Sequence, residues 1–123
     1  MAEDKVVKQS SIQIDIGLNE DKVPIHMQWA ATDNPDAGGP RPCKAMMLAM
    51  FDSENRDTLR IDLWTKDMQV IEMDRFFFQT LRSMADSYFK ATQNAELATA
   101  MQQFVQFFGE KTEIIPKEGR ESE

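Results

Sequence analysis

The run Thr58-Leu59-Arg60-Ile61-Asp62-Leu63-Trp64-Thr65-Lys66-Asp67-Met68 constrains this chain more than any other segment. Leu59, Ile61 and Leu63 alternate with Arg60, Asp62 and Trp64, the period-two pattern of a strand. Directly after it the period changes. Val70, Met73, Phe77, Leu81, Met84 and Tyr88 recur at helical spacing through a segment that holds Phe76, Phe77 and Phe78 in a row. A strand needs neighbouring strands for its backbone groups, and an amphipathic helix needs a surface for its apolar stripe. A chain that passes from one to the other without a break is therefore expected to be α+β.

The upstream half supplies the other strands. Ile12, Ile14, Ile16 and Leu18 alternate with Gln13, Asp15 and Gly17, and Val23, Ile25, Met27 and Trp29 alternate with Pro24, His26 and Gln28. The turn residues Asn19 to Lys22 between them suggest a hairpin. Pro24 has no N–H for a ladder, so its strand begins at an edge or turns that nitrogen away from a neighbour. Thr32 to Pro42 is rich in Pro and Gly and reads as a loop. Lys44 to Phe51 reads as a third strand. It carries Cys43, Ala45, Met47, Ala49 and Phe51 on one face and Met46, Leu48 and Met50 on the other, and a strand apolar on both faces is usually covered on both.

Downstream, Asp67 is the expected N-cap of the first helix. Asn94 is the expected cap of a second helix, with the stripe Leu97, Met101, Phe104, Val105 and Phe108 opposed by Gln102, Gln103 and Gln106. Gly109 is the expected stop, with Ile114 and Ile115 as an alternative extension. The expected architecture is a four-stranded antiparallel meander sheet followed by two C-terminal helices. It forms a single domain over residues 1–115, with a polar C-terminal tail over 116–123. The stripes of both helices and the faces typified by Ile12, Met27, Met47 and Ile61 are the expected core.

Bulk properties exclude several classes. The chain has 123 residues and a net charge of -7, which disfavours nucleic-acid backbones and anionic membranes. The lone Cys43 permits no intrachain disulfide and fits a reducing compartment. The acidic start, Met1-Ala2-Glu3-Asp4, lacks the basic and apolar regions of a secretory signal. The longest apolar run, Ala45 to Phe51, is far short of the roughly 20 residues a membrane helix needs. A cytoplasmic protein without membrane insertion is expected.

Chemistry is sparse. His26, the single histidine, sits on a polar strand face without the partners a base or ligand requires. There is no Cys/His cluster at metal-ligand spacing. Cys43 reads as a small core residue, because Lys44 beside it points to the other face of a strand. Asp15, Arg60 and Asp62 read as surface ion-pair residues unless they converge in a pocket. Gly38 to Pro42 lacks the features of a phosphate loop. No enzyme activity and no cofactor are expected.

Apolar surface, in contrast, is in surplus. Ile71, Phe78, Ala85 and Phe89 form a second stripe on the first helix, offset by about 100° from the first. Met46, Leu48, Met50 and Trp64 are expected to face away from the core if helices cover only one side of the sheet. Two explanations stand side by side. Either the second helix packs on the offset stripe and the N-terminal segment partly covers the far sheet face, or these residues form a self-association or protein-binding surface, for which flexible methionine is well suited. Met46, Leu48, Met50, Trp64, Ile71, Phe78 and Phe89 are the candidate protein-binding residues.

Four segments carry a family resemblance: Trp29-Ala30-Ala31-Thr32-Asp33, Cys43-Lys44-Ala45-Met46-Met47-Leu48, the Thr58 to Met68 run, and Phe76-Phe77-Phe78-Gln79-Thr80-Leu81 with Met84-Ala85-Asp86. Together, over about residues 10 to 115, they resemble the gliding motility-associated GldC family of the Bacteroidetes. The resemblance implies a non-enzymatic cytoplasmic accessory protein of the gliding machinery and its associated secretion system, with a protein partner and no catalytic residues to carry over. In element order alone the chain is also similar to the export chaperone SecB, an oligomeric holdase that binds unfolded chains. That layout is the alternative functional expectation.

Overall fold

A computed structural model describes residues 4–33 and 39–116, which fall in two compact units, Met1–Met68 and Gln69–Glu123. The expected tail lies outside the described residues from position 117 onward, as does the middle of the 32–42 loop. The fold class is α+β: five antiparallel strands in two sheets, then two C-terminal helices.

The first unit begins with β1 (Ile12–Leu18) and β2 (Pro24–Ala31), an antiparallel hairpin. Its turn is set by Asn19, whose side-chain oxygen accepts from the backbone N–H groups of Asp21 and Val23, and by Lys22 in the left-handed region at φ 64°. Ile14 pairs with Trp29 and Ile16 with Met27, while Asp15 pairs with Gln28 and Gly17 with His26. Directly paired residues share a sheet face, so one face is apolar and the other polar. Met27 is 1% exposed and is the largest fully buried side chain. On the polar face Asp15 accepts from the side-chain amides of Gln13 and Gln28.

The third expected strand is interrupted. β3 (Arg41–Cys43) pairs with β2, and β4 (Ala45–Phe51) pairs with β5 (Thr58–Trp64), the two segments meeting at a bend at Lys44. Arg41 and Pro42 thus belong to a strand and not to the expected loop. Pro42 is tolerated because β3 is the edge of the order β1-β2-β3, where a missing N–H leaves no ladder bond unmade. The β4–β5 turn is held by Asp52, whose carboxylate accepts from the N–H groups of Glu54 and Asn55.

In the second unit, α1 (Val70–Thr92) and α2 (Ala95–Lys111) form a helical hairpin. The cap of α1 is Gln69, not the expected Asp67, and the Gln69 N–H donates to Glu72 at 3.0 Å. Asp67 is engaged by Thr65 and Lys44 instead. Asn94 caps α2 as expected, accepting from the Leu97 N–H at 3.1 Å. Gly109 does not stop α2, which continues to Lys111. The chain then folds back, and the Ile114 and Ile115 N–H groups both donate to the Gly109 carbonyl. A Cβ on Gly109 would stand 2.6 Å from Phe78 Cε1 and 2.8 Å from Ile115 Cδ1. Glycine is required there for close approach rather than for a turn.

The buried residues of the hairpin are Phe78 and Ala85 on α1 and Ala98, Val105 and Gly109 on α2. This corrects the expected core stripe. Val70, Phe77 and Met84 are exposed, while the offset stripe through Phe78 and Ala85 meets α2. Both stripes are apolar; the seven-residue spacing of the small and large residues Phe78/Ala85 and Ala98/Val105 lets these two helices approach along that line.

Candidate functional site

The β4–β5 ribbon separates the candidate strand residues. Its register pairs Met46 with Leu63, Leu48 with Ile61 and Met50 with Leu59, which places six apolar side chains on one face with no polar residue among them. The opposite face pairs Ala45 with Trp64, Met47 with Asp62 and Ala49 with Arg60. Trp64 therefore lies on the other side of the ribbon from Met46, Leu48 and Met50, and Ile61 shares a face with Leu48 rather than with Met47. The turn decides this parity, because a shift of one residue exchanges the faces of a whole strand. Met50, Leu59 and Ile61 are 45–58% exposed while Met46, Leu48 and Leu63 are half-buried, so the apolar face is open toward its Met50–Leu59 end. Trp64 is about half exposed.

The helical candidates separate as well. Phe78 is 5% exposed at the α1–α2 seam, with the Arg82 guanidinium 5.2 Å from its ring centre, so it is a packing residue of the hairpin. Ile71 and Phe89 are exposed. Phe89 lines a cavity of about 340 Å³ with Asp86, Lys90, Ala98 and Gln102; a second, of about 400 Å³, is lined by Phe78, Arg82, Asp86, Gln102, Val105 and Gln106.

These two cavities reveal how the hairpin is sided. They bring Arg82 and Asp86 of α1 together with Gln102 and Gln106 of α2, so the polar flanks of both helices share one side. At about 100° per residue, Phe77, Leu81 and Met84 flank the seam of α1 on the opposite side, and Leu97, Met101, Phe104 and Phe108 flank that of α2 likewise. The hairpin has one polar and one apolar side. Phe104 and Phe107 stand 6.2 Å apart between ring centres, and Phe104 and Phe108 do the same.

Polar groups gather at the Lys44 bend between β3 and β4. Thr65, 3% exposed, donates its hydroxyl to Asp67 Oδ1 at 2.6 Å, and Lys44 Nζ lies 3.7 Å from Asp67 Oδ2. The Thr65 hydroxyl and the neighbouring lysine hold the Asp67 carboxyl below the ordinary aspartate value. The Thr65 N–H donates to the Lys44 carbonyl at 2.8 Å and the Lys66 N–H to the Pro24 carbonyl at 2.9 Å, so this motif ties β5 to the bend. His26, Cys43, Lys44, Thr65 and Asp67 line a cavity of about 290 Å³. Burial pushes the Cys43 thiol up, which keeps it protonated and weakly nucleophilic at neutral pH.

Asp15 does not converge with Arg60 and Asp62. Asp15 is bonded within the first sheet, while Arg60 and Asp62 pair with each other at 2.8 Å on the second. Among the described residues no three His, Cys, Asp or Glu side chains are grouped to hold a metal ion, and no helix is long and apolar enough to cross a membrane. Among the residues that periodicity assigned to the core, Ile12, Ile61, Val70, Phe77, Met84, Leu97 and Phe104 are exposed. Periodicity identified their stripes but carries no signal for which stripe is left uncovered.

A family model described as gliding motility-associated protein GldC-like matches residues 24–114. No curated protein and no solved structure matches the chain. The matched segment contains β2 to β5 and both helices, and so spans the ribbon, the Lys44–Thr65–Asp67 motif and the hairpin. The chain belongs to the GldC-like family of gliding motility-associated proteins.

Proposed function

We propose that this protein is a non-enzymatic, cytoplasmic accessory component of the gliding machinery and its associated secretion system, acting by binding another protein. The observation that carries this reading is the apolar face of the β4–β5 ribbon, exposed at Met50, Leu59 and Ile61. Six apolar side chains stand there without a polar neighbour, on a two-stranded element that is marginal by itself unless something packs on it. Methionine contributes Met46 and Met50 to that face, and its flexible thioether adapts to a partner's relief. Trp64, on the reverse face, is the aromatic anchor on that side, because aromatic residues commonly dominate binding energy.

The test is complementation in a gliding bacterium whose own copy has been deleted. Ile61→Asp places a charge in the middle of the apolar face, and Trp64→Ala removes the anchor on the other. Loss of colony spreading by a folded, normally abundant Ile61→Asp protein supports the reading. Full spreading with Ile61→Asp and Trp64→Ala combined refutes it.

The open methionine-bearing face also suits a SecB-like holdase, which would protect unfolded clients without a fixed sequence preference. That second reading requires the pure protein to suppress aggregation of a refolding client at equimolar ratio. Failure to do so with several clients removes it.

A further inference from the structure

The two cavities between α1 and α2 share Asp86 and Gln102, so they join into one groove along the hairpin. Its floor is apolar, with Phe78 and Val105 toward one end and Phe89 and Ala98 toward the other. Its α1 rim carries Arg82, Asp86 and Lys90, one helical turn apart. We propose that this groove holds the chain's own segment 117–121, which enters beside Phe78 and runs along the rim toward Phe89. Groove and occupant both belong to the second unit, Gln69–Glu123, so the contact is internal to it.

Position selects this occupant. The fold-back after α2 places Ile115 in the wall of the groove with Phe78 and Arg82, two residues before the segment begins. Attachment at that end fixes the direction of the segment. Reach agrees. Phe78 and Lys90 are twelve positions apart, about 18 Å of helix. An extended chain from Ile115 to Glu121 spans about 20 Å.

Charge agrees as well. The α1 rim reads base, acid, base. Among the described residues none of these three side chains is in an ion pair, although Arg82 with Asp86 and Asp86 with Lys90 have the spacing for one. The segment carries Glu118, Arg120 and Glu121, in the complementary order acid, base, acid. Two residues of extended chain advance about 7 Å, close to the rise of about 5–6 Å per helical turn. Glu118 therefore meets Arg82 when Arg120 meets Asp86, and Glu121 follows within reach of Lys90. On the facing rim the Gln102 amide can both donate to and accept from the segment's backbone. The docked segment covers Phe89, otherwise 41% exposed, and shuts the groove to any other extended chain until it is displaced.

This contact is independent of the partner-binding reading, which rests on the ribbon. The experiment is paramagnetic broadening of amide signals in the full chain, with Cys43→Ser and a nitroxide on Ser122→Cys. A free tether and a docked segment predict opposite gradients. A free tether spends most of its time near its attachment and broadens Phe78 and Gly109 most. A docked segment carries the label to the far end of the groove and broadens Phe89, Lys90 and Thr99 several-fold more than Phe78, which is the expected result. Mixing nitroxide-bearing protein with isotope-labelled, nitroxide-free protein should give no broadening. Glu118→Lys with Glu121→Lys, changes outside both helices, should produce the free-tether gradient. Adding Arg82→Glu and Lys90→Glu should restore the docked one, with helical circular dichroism retained throughout. A free-tether gradient in the parent, broadening between copies, or a far-end gradient that survives Glu118→Lys and Glu121→Lys overturns the proposal.

Discussion

Replacing Gly109 by alanine sets two effects of known size against each other. Within a helix interior, alanine is favoured over glycine by about 1 kcal/mol, so a purely local argument predicts stabilisation. The tertiary contacts predict the reverse. The added methyl would lie 2.6 Å from Phe78 Cε1 and 2.8 Å from Ile115 Cγ1 and Cδ1, well inside the separation at which carbon atoms attract. Ile115 can yield, since the atoms in the way are the outer part of a flexible side chain. Phe78 is a rigid ring packed at the seam and yields only if α1 and α2 move apart. Overpacking of this kind costs about 1–3 kcal/mol, so the expected net destabilisation is about 1 kcal/mol. The assay is urea unfolding followed by helical circular dichroism, repeated in an Ile115→Ala background. There the Ile115 contact is gone and the cost of Gly109→Ala should shrink without vanishing, because the Phe78 contact remains. A Gly109→Ala protein with a higher midpoint than the parent refutes the close approach and leaves Gly109 as an ordinary solvent-tolerant helix position.

Other expectations follow from single contacts. Asn94→Ala removes the acceptor for the Leu97 N–H and should lower stability by about 1 kcal/mol in the same urea assay. Met27→Ala empties the most buried large side chain of the first unit and should cost about 2–5 kcal/mol, read from the unfolding midpoint of the strand signal. The Asp67 carboxyl is held below its ordinary value, so its stabilising contribution is present above about pH 4 and is lost as pH falls through the lower folded-state value. Asp67→Asn should therefore melt below the parent at pH 7, with the gap closing in acid; a gap of equal size at the lowest pH would contradict the assignment.

Much of the architecture was legible because backbone periodicity is a local property. The alternation of Ile12 to Leu18 and of Leu59 to Leu63 and the spacing from Val70 onward place β1, β5 and α1, and the Asn94 cap places the start of α2. The misplaced features share a cause. Asp67 is as good a cap by composition as any, yet it is drawn to Thr65 and Lys44, which lies more than twenty residues away in the chain. Pro42 looks like a loop residue until β3 is seen to be an edge. Gly109 looks like a stop until Phe78 and Ile115 are seen against it. In each case a long-range contact outweighs a local preference of about 1 kcal/mol.

The candidate surface shows the same division. Residue order alone determined that this chain alternates into strands, turns to helices after Met68, carries more apolar stripes than one core requires, and belongs with the gliding motility-associated GldC-like proteins. Only the tertiary structure decided which stripe is spent internally. Two stripes on α1 are nearly equivalent in hydrophobicity, and the choice of Phe78 and Ala85 as the seam depends on Ala98, Val105 and Gly109 permitting close approach from α2. Likewise the pairing of Ala45 with Trp64 sets the parity that puts Trp64 behind the methionine face. Packing of one element against another is a pairwise property, and a single strand or helix read alone holds only half of each pair.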